Sequence, residues 1–274
     1  GQIRRALGRE GLRMGRHFEW LAGCLDSEFQ RLISVLIWLT EHPNSGLYLR
    51  QLPIPGIDTK WIEANGGRVT DLLRQLHGGL GDLYALGGLR RVPDLLRLRI
   101  LDPQMSRHFG GLSDLSSPLE EIAALPIAPA SALIVENLQT GLALPELPRT
   151  VAFLARGYAV ESFGAIPWLA SCATYYWGDL DTHGFAILSR LRRYLPRARS
   201  LMMDQDTLLA YRSLWQREEK PAPAPLGTLT EEEEEVFRGL LGDRWGEHVR
   251  LEQERIDWEY ASRRIADALG RDWT

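Results

Sequence analysis

Trp177-Gly178-Asp179-Leu180-Asp181-Thr182-His183-Gly184-Phe185 is the stretch whose reading decides the fold. An apolar run at 174–177 precedes it and a helical segment at 184–195 follows. It is therefore predicted to sit at the carboxyl end of a parallel strand, on the way into a helix. Ligands bind outside that end of the strands in open α/β sheets. Asp179 and Asp181 are two apart, so extended backbone points both to the same side. Carboxylates that close repel one another unless a cation neutralises them. Hard oxygen ligands with room left for water and phosphate suit Mg²⁺ or Mn²⁺. Gly178 and Gly184 are expected to permit tight turns on either side. The competing reading is that Asp181 and Thr182 merely cap the helix, a job for which one aspartate is enough.

Glu136 supplies a third carboxylate. It closes the apolar run Ala132-Leu133-Ile134-Val135, which reads as a buried parallel strand. If that strand lies beside 174–177 in parallel, Glu136, Asp179 and Asp181 converge on one edge. Further strands are expected at 158–164 and 199–203, with helices at 146–155, 165–171 and 184–195 between them. Alternating strands and helices imply a parallel sheet with crossover helices. A late strand is expected at 251–256, where Glu252 or Glu254 could add a metal ligand. His183 either donates to phosphate or starts the helix. Arg190, Arg192, Arg193, Arg197 and Arg199 are expected on a solvated face. Residues 221–225, Pro-Ala-Pro-Ala-Pro, read as a stiff exposed linker. Glu231 to Glu235, behind Thr230, read as a solvated helix start.

The N-terminal part has a different texture. Apolar positions Phe18, Leu21, Leu25, Phe29, Leu32 and Leu36 predict one helix over 18–39, stopped by His42-Pro43-Asn44-Ser45-Gly46. A second helix is expected over 59–76. Helix, loop, short helix and helix is compatible with a winged-helix module, on which Arg50 and Lys60 would face phosphates. Residues 95–101 alternate apolar and basic side chains as a strand does, and 113–125 read as a loop and short helix. The domains are set at 1–80 (helical), 81–128 (a bridge) and 129–274 (α/β).

The chain of 274 residues, 45% hydrophobic, is long enough for two cores. A net charge of −4 argues against wholesale nucleic-acid coating. Only Lys60 and Lys220 are lysine, so arginine carries almost all the positive charge. Cys24 and Cys172 are expected to be free thiols of a reducing cytoplasm. No apolar run reaches the ~18 residues that span a bilayer.

Glu at one strand end and Asp-x-Asp at a later one resembles the Toprim domain of topoisomerases, primases and related nucleases. The fuller wording narrows this. Leu133-Ile134-Val135-Glu136-Asn137-Leu138-Gln139-Thr140, and Tyr176 to Phe185 with Ile187-Leu188 behind it, is similar to the JetD family, the nuclease subunits of Wadjet anti-plasmid defence systems. Ser45-Gly46-Leu47-Tyr48-Leu49-Arg50-Gln51-Leu52 and Gly56-Ile57-Asp58-Thr59-Lys60-Trp61-Ile62-Glu63 resemble the winged-helix part of the same family. The resemblance runs over residues 18–260. It implies an α/β and α+β chain: a winged-helix-like (CAP-like) domain, then a Toprim, Rossmann-like domain with a mainly parallel sheet. It implies Glu136, Asp179 and Asp181 as catalytic metal ligands for Mg²⁺ or Mn²⁺, with Glu254, in a Glu-Arg-Ile phrase shared with the family, as a further ligand. His183, Arg50 and Lys60 are the expected DNA contacts.

The implied activity is hydrolysis of circular double-stranded plasmid DNA by metal-activated water, without a covalent protein–DNA link. An SMC-like (JetABC) complex would deliver the DNA. Paired cuts need two sites, which predicts a homodimer. Family members also carry an N-terminal arm, and a start at Gly1 rather than Met is expected of a chain that lacks it. The related type IIB topoisomerase A subunit has a nucleophilic tyrosine on its winged helix, which makes Tyr48 an alternative nucleophile. Its place in the apolar rhythm Leu47, Leu49, Leu52 favours packing instead. A non-catalytic DNA-binding module is a second alternative. A phosphatase with a nucleophilic aspartate is a third, weakened because no motif supplies a partner lysine.

Overall fold

The computed structural model describes residues 17–154, 160–222 and 225–270. The chain divides into two compact units after Pro93.

The first unit is helical. Helices α1 (Phe18–Gly23) and α2 (Asp26–Glu41) replace the single predicted helix. The break falls after Gly23, a poor helix former, where Cys24 and Leu25 are extended. Leu25 is consequently exposed rather than part of the apolar stripe. Helix α3 (Thr59–His77) runs as expected, from an Asp58 side chain that accepts the Trp61 N–H at 2.7 Å to a left-handed Gly78. Its buried residues Ile62, Val69, Leu72, Leu73 and Leu76 recur at helical spacing and pack with Leu32, Val35, Leu36 and Leu39 of α2. A turn at Leu49–Gln51 lies between these helices, and a short α4 (Leu83–Leu86) follows them. Gly46 N–H donates to the Gly88 carbonyl and Arg90 N–H to that of Leu47, so the segment before α3 is tied to the one after it.

The second unit is a mixed α/β fold. In chain order it contains β1 (Leu95–Ile100), α5 (Pro103–Ser106), β2 (Asp114–Pro118), α6 (Leu119–Ala123), β3 (Ser131–Val135), α7 (Leu138–Ala143) and β4 (Thr150–Leu154). Then follow β5 (Ala173–Trp177), α8 (Thr182–Leu191), β6 (Arg199–Ser200), α9 (Gln205–Ala210), β7 (Gln216–Arg217), α10 (Glu231–Leu241), β8 (Val249–Arg250) and α11 (Trp258–Leu269). The main sheet has the order β2-β1-β4-β3-β5-β6. Strands β4, β3, β5 and β6 are parallel neighbours, while β1 runs against both β2 and β4. Of the segment 81–128, read from sequence as a bridge, residues 81–93 fall in the first unit, while 94–128 belong to this one and carry its antiparallel strands.

Several sequence expectations change here. Residues 146–155, expected as a helix, hold β4, whose five residues are all buried between β1 and β3. Thr150-Val151-Ala152-Phe153-Leu154 is instead the almost wholly apolar run of a central strand. The strand expected over 158–164 is a 3₁₀ helix, Val160–Ala165, with Val160 and Phe163 buried three apart; Tyr158 and Ala159 lie outside the described residues. Residues 165–171 give another 3₁₀ turn, Pro167–Ser171. The strand at 199–203 stops after Ser200, and Met202 takes a left-handed φ of 56°. The linker expected over 221–225 is not exposed throughout, since Ala222 is buried and donates its N–H to the Thr182 hydroxyl at 2.6 Å.

The arginine and glutamate runs also meet. Thr230 caps α10 as expected, yet Glu233 is buried and receives the guanidinium of Arg192, itself buried rather than on a solvated face. Cys24 and Cys172 form no disulfide, as expected, and both are half-buried rather than buried. No helix of the described residues is long and apolar enough to cross a membrane.

Candidate functional site

Strands β3 and β5 are adjacent and parallel, with Val135 paired to Trp177. The chain leaves β3 toward β4 on one side and leaves β5 toward β6 on the other. Their carboxyl ends therefore flank a topological switch point, the position where open α/β sheets form a ligand crevice. Glu136 follows β3 there, its N–H donating to the Trp177 carbonyl at 3.3 Å. Asp179 and Asp181 follow β5. All three line a cavity of about 750 Å³, with Glu218, Lys220 and Arg250 among the other walls.

The two glycines act differently from expectation. Neither takes a left-handed φ. A Cβ on Gly178 would lie 2.4 Å from Glu136 Oε1 and 2.4 Å from the Tyr176 hydroxyl, and one on Gly184 would lie 2.0 Å from the Asp179 carbonyl oxygen. Glycine is needed for close approach, not for a turn.

Each carboxylate has a defined set of partners. Glu136 Oε1 accepts the hydroxyl proton of Tyr176. Burial pushes the Glu136 carboxyl up to about 7, against the pull of the Tyr176 hydrogen bond, and the charges of Asp179 and Asp181 add to the rise. Tyr176 is held well above its ordinary value, first by burial and then by the Glu136 charge beside it. Asp179 Oδ1 accepts the Gln253 N–H at 2.8 Å and its Oδ2 takes Arg250 at 2.5 Å. Asp181 caps α8, its Oδ1 accepting the Gly184 N–H at 2.7 Å. So the capping reading holds for this residue alongside its place in the cluster. Burial raises the Asp181 carboxyl to about 6, and Glu218 and Asp179 reinforce this against the Gly184 bond and Arg250.

Three contributors escaped sequence reasoning. Leu180 and Leu251 exchange backbone hydrogen bonds of 2.9 and 3.1 Å, which brings Arg250, Glu252 and Gln253 against Asp179. The late segment is thus a two-residue strand, β8, a bridge at Leu251 and a 3₁₀ turn, Gln253–Arg255, rather than a strand over 251–256. Gln253 is buried, and its Oε1 accepts the Asn137 N–H at 3.0 Å, so one residue ties the end of β3 to Asp179. Glu218, 4% exposed, accepts the Thr182 hydroxyl at 2.8 Å and main-chain N–H groups of Thr182 and His183 at 3.3 Å. It thereby sits on the positive end of α8. Its charged run, Gln216-Arg217-Glu218-Glu219-Lys220, looks like solvated surface in sequence and offers no signal of burial.

The other expected site residues are spread. His183 lies on the cavity wall, but its Nε2 is within 2.7 Å of the Lys220 carbonyl. Glu254 is exposed beside the cluster and accepts the Asn137 side-chain amide at 2.9 Å; the cavity walls do not include it. Arg50 and Lys60 are exposed in the first unit. Tyr48 is half-buried there, with the Arg90 guanidinium 5.1 Å over its ring.

The donor set fits a hard divalent cation. Every candidate ligand is a carboxylate oxygen, the chemistry Mg²⁺ and Mn²⁺ take. The Oδ1 atoms of both aspartates are committed to main-chain N–H groups, while both Oδ2 atoms face one cation, Arg250, at 2.5 and 3.1 Å. Among the described residues, no three His, Cys, Asp or Glu side chains already stand as a ligand group.

Residues 88–265 match the family model of the Wadjet protein JetD, C-terminal. Residues 2–74 match a family described as uncharacterized protein conserved in bacteria, N-terminal. No curated protein matches the chain. With its second unit matched almost from end to end, the chain belongs to the JetD family.

Proposed function

We propose that this chain is a divalent-metal-dependent endonuclease of a Wadjet anti-plasmid system, cutting circular double-stranded DNA. One observation carries the reading: Glu136, Asp179 and Asp181 converge at the switch point of the sheet, on a cavity roomy enough for a phosphodiester. The family match supports the Wadjet role. In this reading the second unit is a Toprim domain and the three carboxylates hold the ion, with Glu254 at their flank. A bound Mg²⁺ or Mn²⁺ would supply electrostatic stabilisation for charge developing on the phosphate.

The chain's own residues do the rest. Gln253 holds Asp179 in place through its main-chain N–H, and Tyr176 fixes the orientation of Glu136. The Gly184 N–H orients Asp181. Lys220 on the cavity wall and His183 beside it supply phosphate contacts. The first unit serves as a winged-helix DNA grip, with Arg50 and Lys60 toward phosphates. Support comes from the order α2, turn, α3 and from the strand-like ties of Gly46 to Gly88 and Leu47 to Arg90. A homodimer would place two sites on one duplex, and an SMC-like complex would present the circle.

The test uses supercoiled plasmid and Mn²⁺, with EDTA as control, followed by phenol extraction. Nicked and linear products that partition into the aqueous phase, and an unchanged rate in Tyr48→Phe, are expected of hydrolysis. DNA carried into the phenol phase by bound protein, with cleavage lost in Tyr48→Phe, would replace hydrolysis by transesterification.

A further inference from the structure

Arg250 is the one cation shared by the cluster's two aspartates among the described residues. Its guanidinium reaches Asp179 Oδ2 at 2.5 Å, Asp181 Oδ2 at 3.1 Å and Glu252 Oε1 at 3.5 Å. The grip on the two aspartates is uneven. Toward Asp179 it is a charge-assisted hydrogen bond. Toward Asp181 the Nε has a charge within reach but no hydrogen-bond partner, although it is buried. A buried N–H left in that state is costly, so this side of the guanidinium is held by charge rather than by fitted geometry. Arg250 is one-third exposed and lines the cavity, so it has an open side to move into.

We infer that Arg250 is the built-in counter-cation of the metal-free site, holding the two carboxylates that would hold a divalent ion, and that it leaves when the ion binds. This rests on the metal site of the proposed function. Two like carboxylates that close need a positive charge between them, and Arg250 supplies it from within the chain. Once displaced, its planar fork stays tethered by β8 at the cavity wall, where it can take two oxygens of a phosphate. Metal binding thereby delivers a phosphate-clamping group as well as an ion, which makes Arg250 a substrate-binding residue of the cavity.

Calorimetric titration of Mn²⁺ into the wild-type chain, Arg250→Gln, Arg250→Lys and Asp179→Asn tests this. A self-ligand that fills the site most of the time weakens the apparent affinity by the fraction of time the site is open. Arg250→Gln is therefore expected to bind Mn²⁺ about tenfold more tightly than wild type. Arg250→Lys, which keeps the charge but not the fork, is expected to gain less, and Asp179→Asn to bind weakly. Should Arg250→Gln prove poorly folded by circular dichroism, tighter binding by Arg250→Lys decides in favour. Measurable wild-type binding with unchanged or weaker affinity in the folded arginine variants would overturn the inference and leave the metal site standing. No Mn²⁺ binding by any chain, wild type included, would overturn both.

Discussion

Glu233→Gln is expected to destabilise the second unit by about 3–5 kcal/mol, the cost of breaking a buried ion pair from one side. Arg192 and Glu233 are 8% and 7% exposed at the side chain. Arg192 donates from both terminal nitrogens to Glu233, and its Nε and NH1 also reach the carbonyls of Ala198 and Thr228. Glu233 further takes the Ser200 hydroxyl at 2.6 Å and the Thr230 N–H at 2.9 Å. The pair thus staples α10 to α8 and to β6, next to the sheet edge that carries the site. Removing the carboxylate charge leaves a buried guanidinium uncompensated. Burial by itself raises the Glu233 carboxyl, but the bonds from Arg192, Ser200 and Thr230 outweigh it and hold it below its ordinary value. A group depressed in the folded state stabilises fully above its unfolded value, about 4.3 for glutamate, and loses that contribution as pH falls through the folded value. Wild type should therefore lose stability on acidification over a range where Glu233→Gln changes less. Urea unfolding at pH 7 and pH 3 checks both statements: equal midpoints for the two proteins at pH 7 would contradict the first, and equal shifts of both proteins between the two pH values the second.

The second large effect is expected at a glycine. Gly178→Ala should cut Mn²⁺-dependent cleavage by about 100-fold or more, with the fold retained. The new Cβ would stand 2.4 Å from both Glu136 Oε1 and the Tyr176 hydroxyl. Tyr176 is fully buried in the sheet and has nowhere to go, so the Glu136 carboxylate must yield. A carboxylate moved by about 1 Å no longer meets the geometry that Asp179 and Asp181 share, and misplacement on that scale costs about two decades in rate. A circular dichroism spectrum near wild type, a lowered thermal midpoint from the crowded Tyr176 hydroxyl, and cleavage nearly lost are the expected pattern. Full cleavage in a well-folded Gly178→Ala chain would show that the position of Glu136 is unimportant.

Much of the site was legible because local chemistry wrote it. The apolar runs before Glu136 and before Gly178 announce buried parallel strands, and a carboxylate straight after such a run lies at a sheet edge. Their adjacency, on which the convergence depends, is what the β3–β5 register supplies. Helix α3, with its capping Asp58 and closing Gly78, was equally plain. What remained hidden depends on tertiary partners. Strand β4 lacks the alternation that marks a half-buried strand, because both its faces are covered. Arg250 and Gln253 reach Asp179 only through the Leu180–Leu251 bridge, a contact across 71 residues of sequence that no local pattern encodes. Glu218 and Glu233 each sit in a charged run that reads as solvated, and only the groups facing them, the start of α8 and Arg192, explain their burial. Gly178 and Gly184 read as turn residues in sequence, and the close approach that requires glycine there is visible only once Glu136 and the Asp179 carbonyl are in place.

The proposed metal-dependent DNA-cleaving centre rests on Asp179 and Asp181. Its most direct test is the rate of Mn²⁺-dependent plasmid linearisation by wild type against Asp179→Asn and Asp181→Asn chains of verified fold. Wild type is expected to nick and linearise the circle, and each variant to lose the activity by about a thousandfold, on the scale of losing a principal source of transition-state charge stabilisation. Equal rates in wild type and both variants would place any cleavage elsewhere and contradict the account.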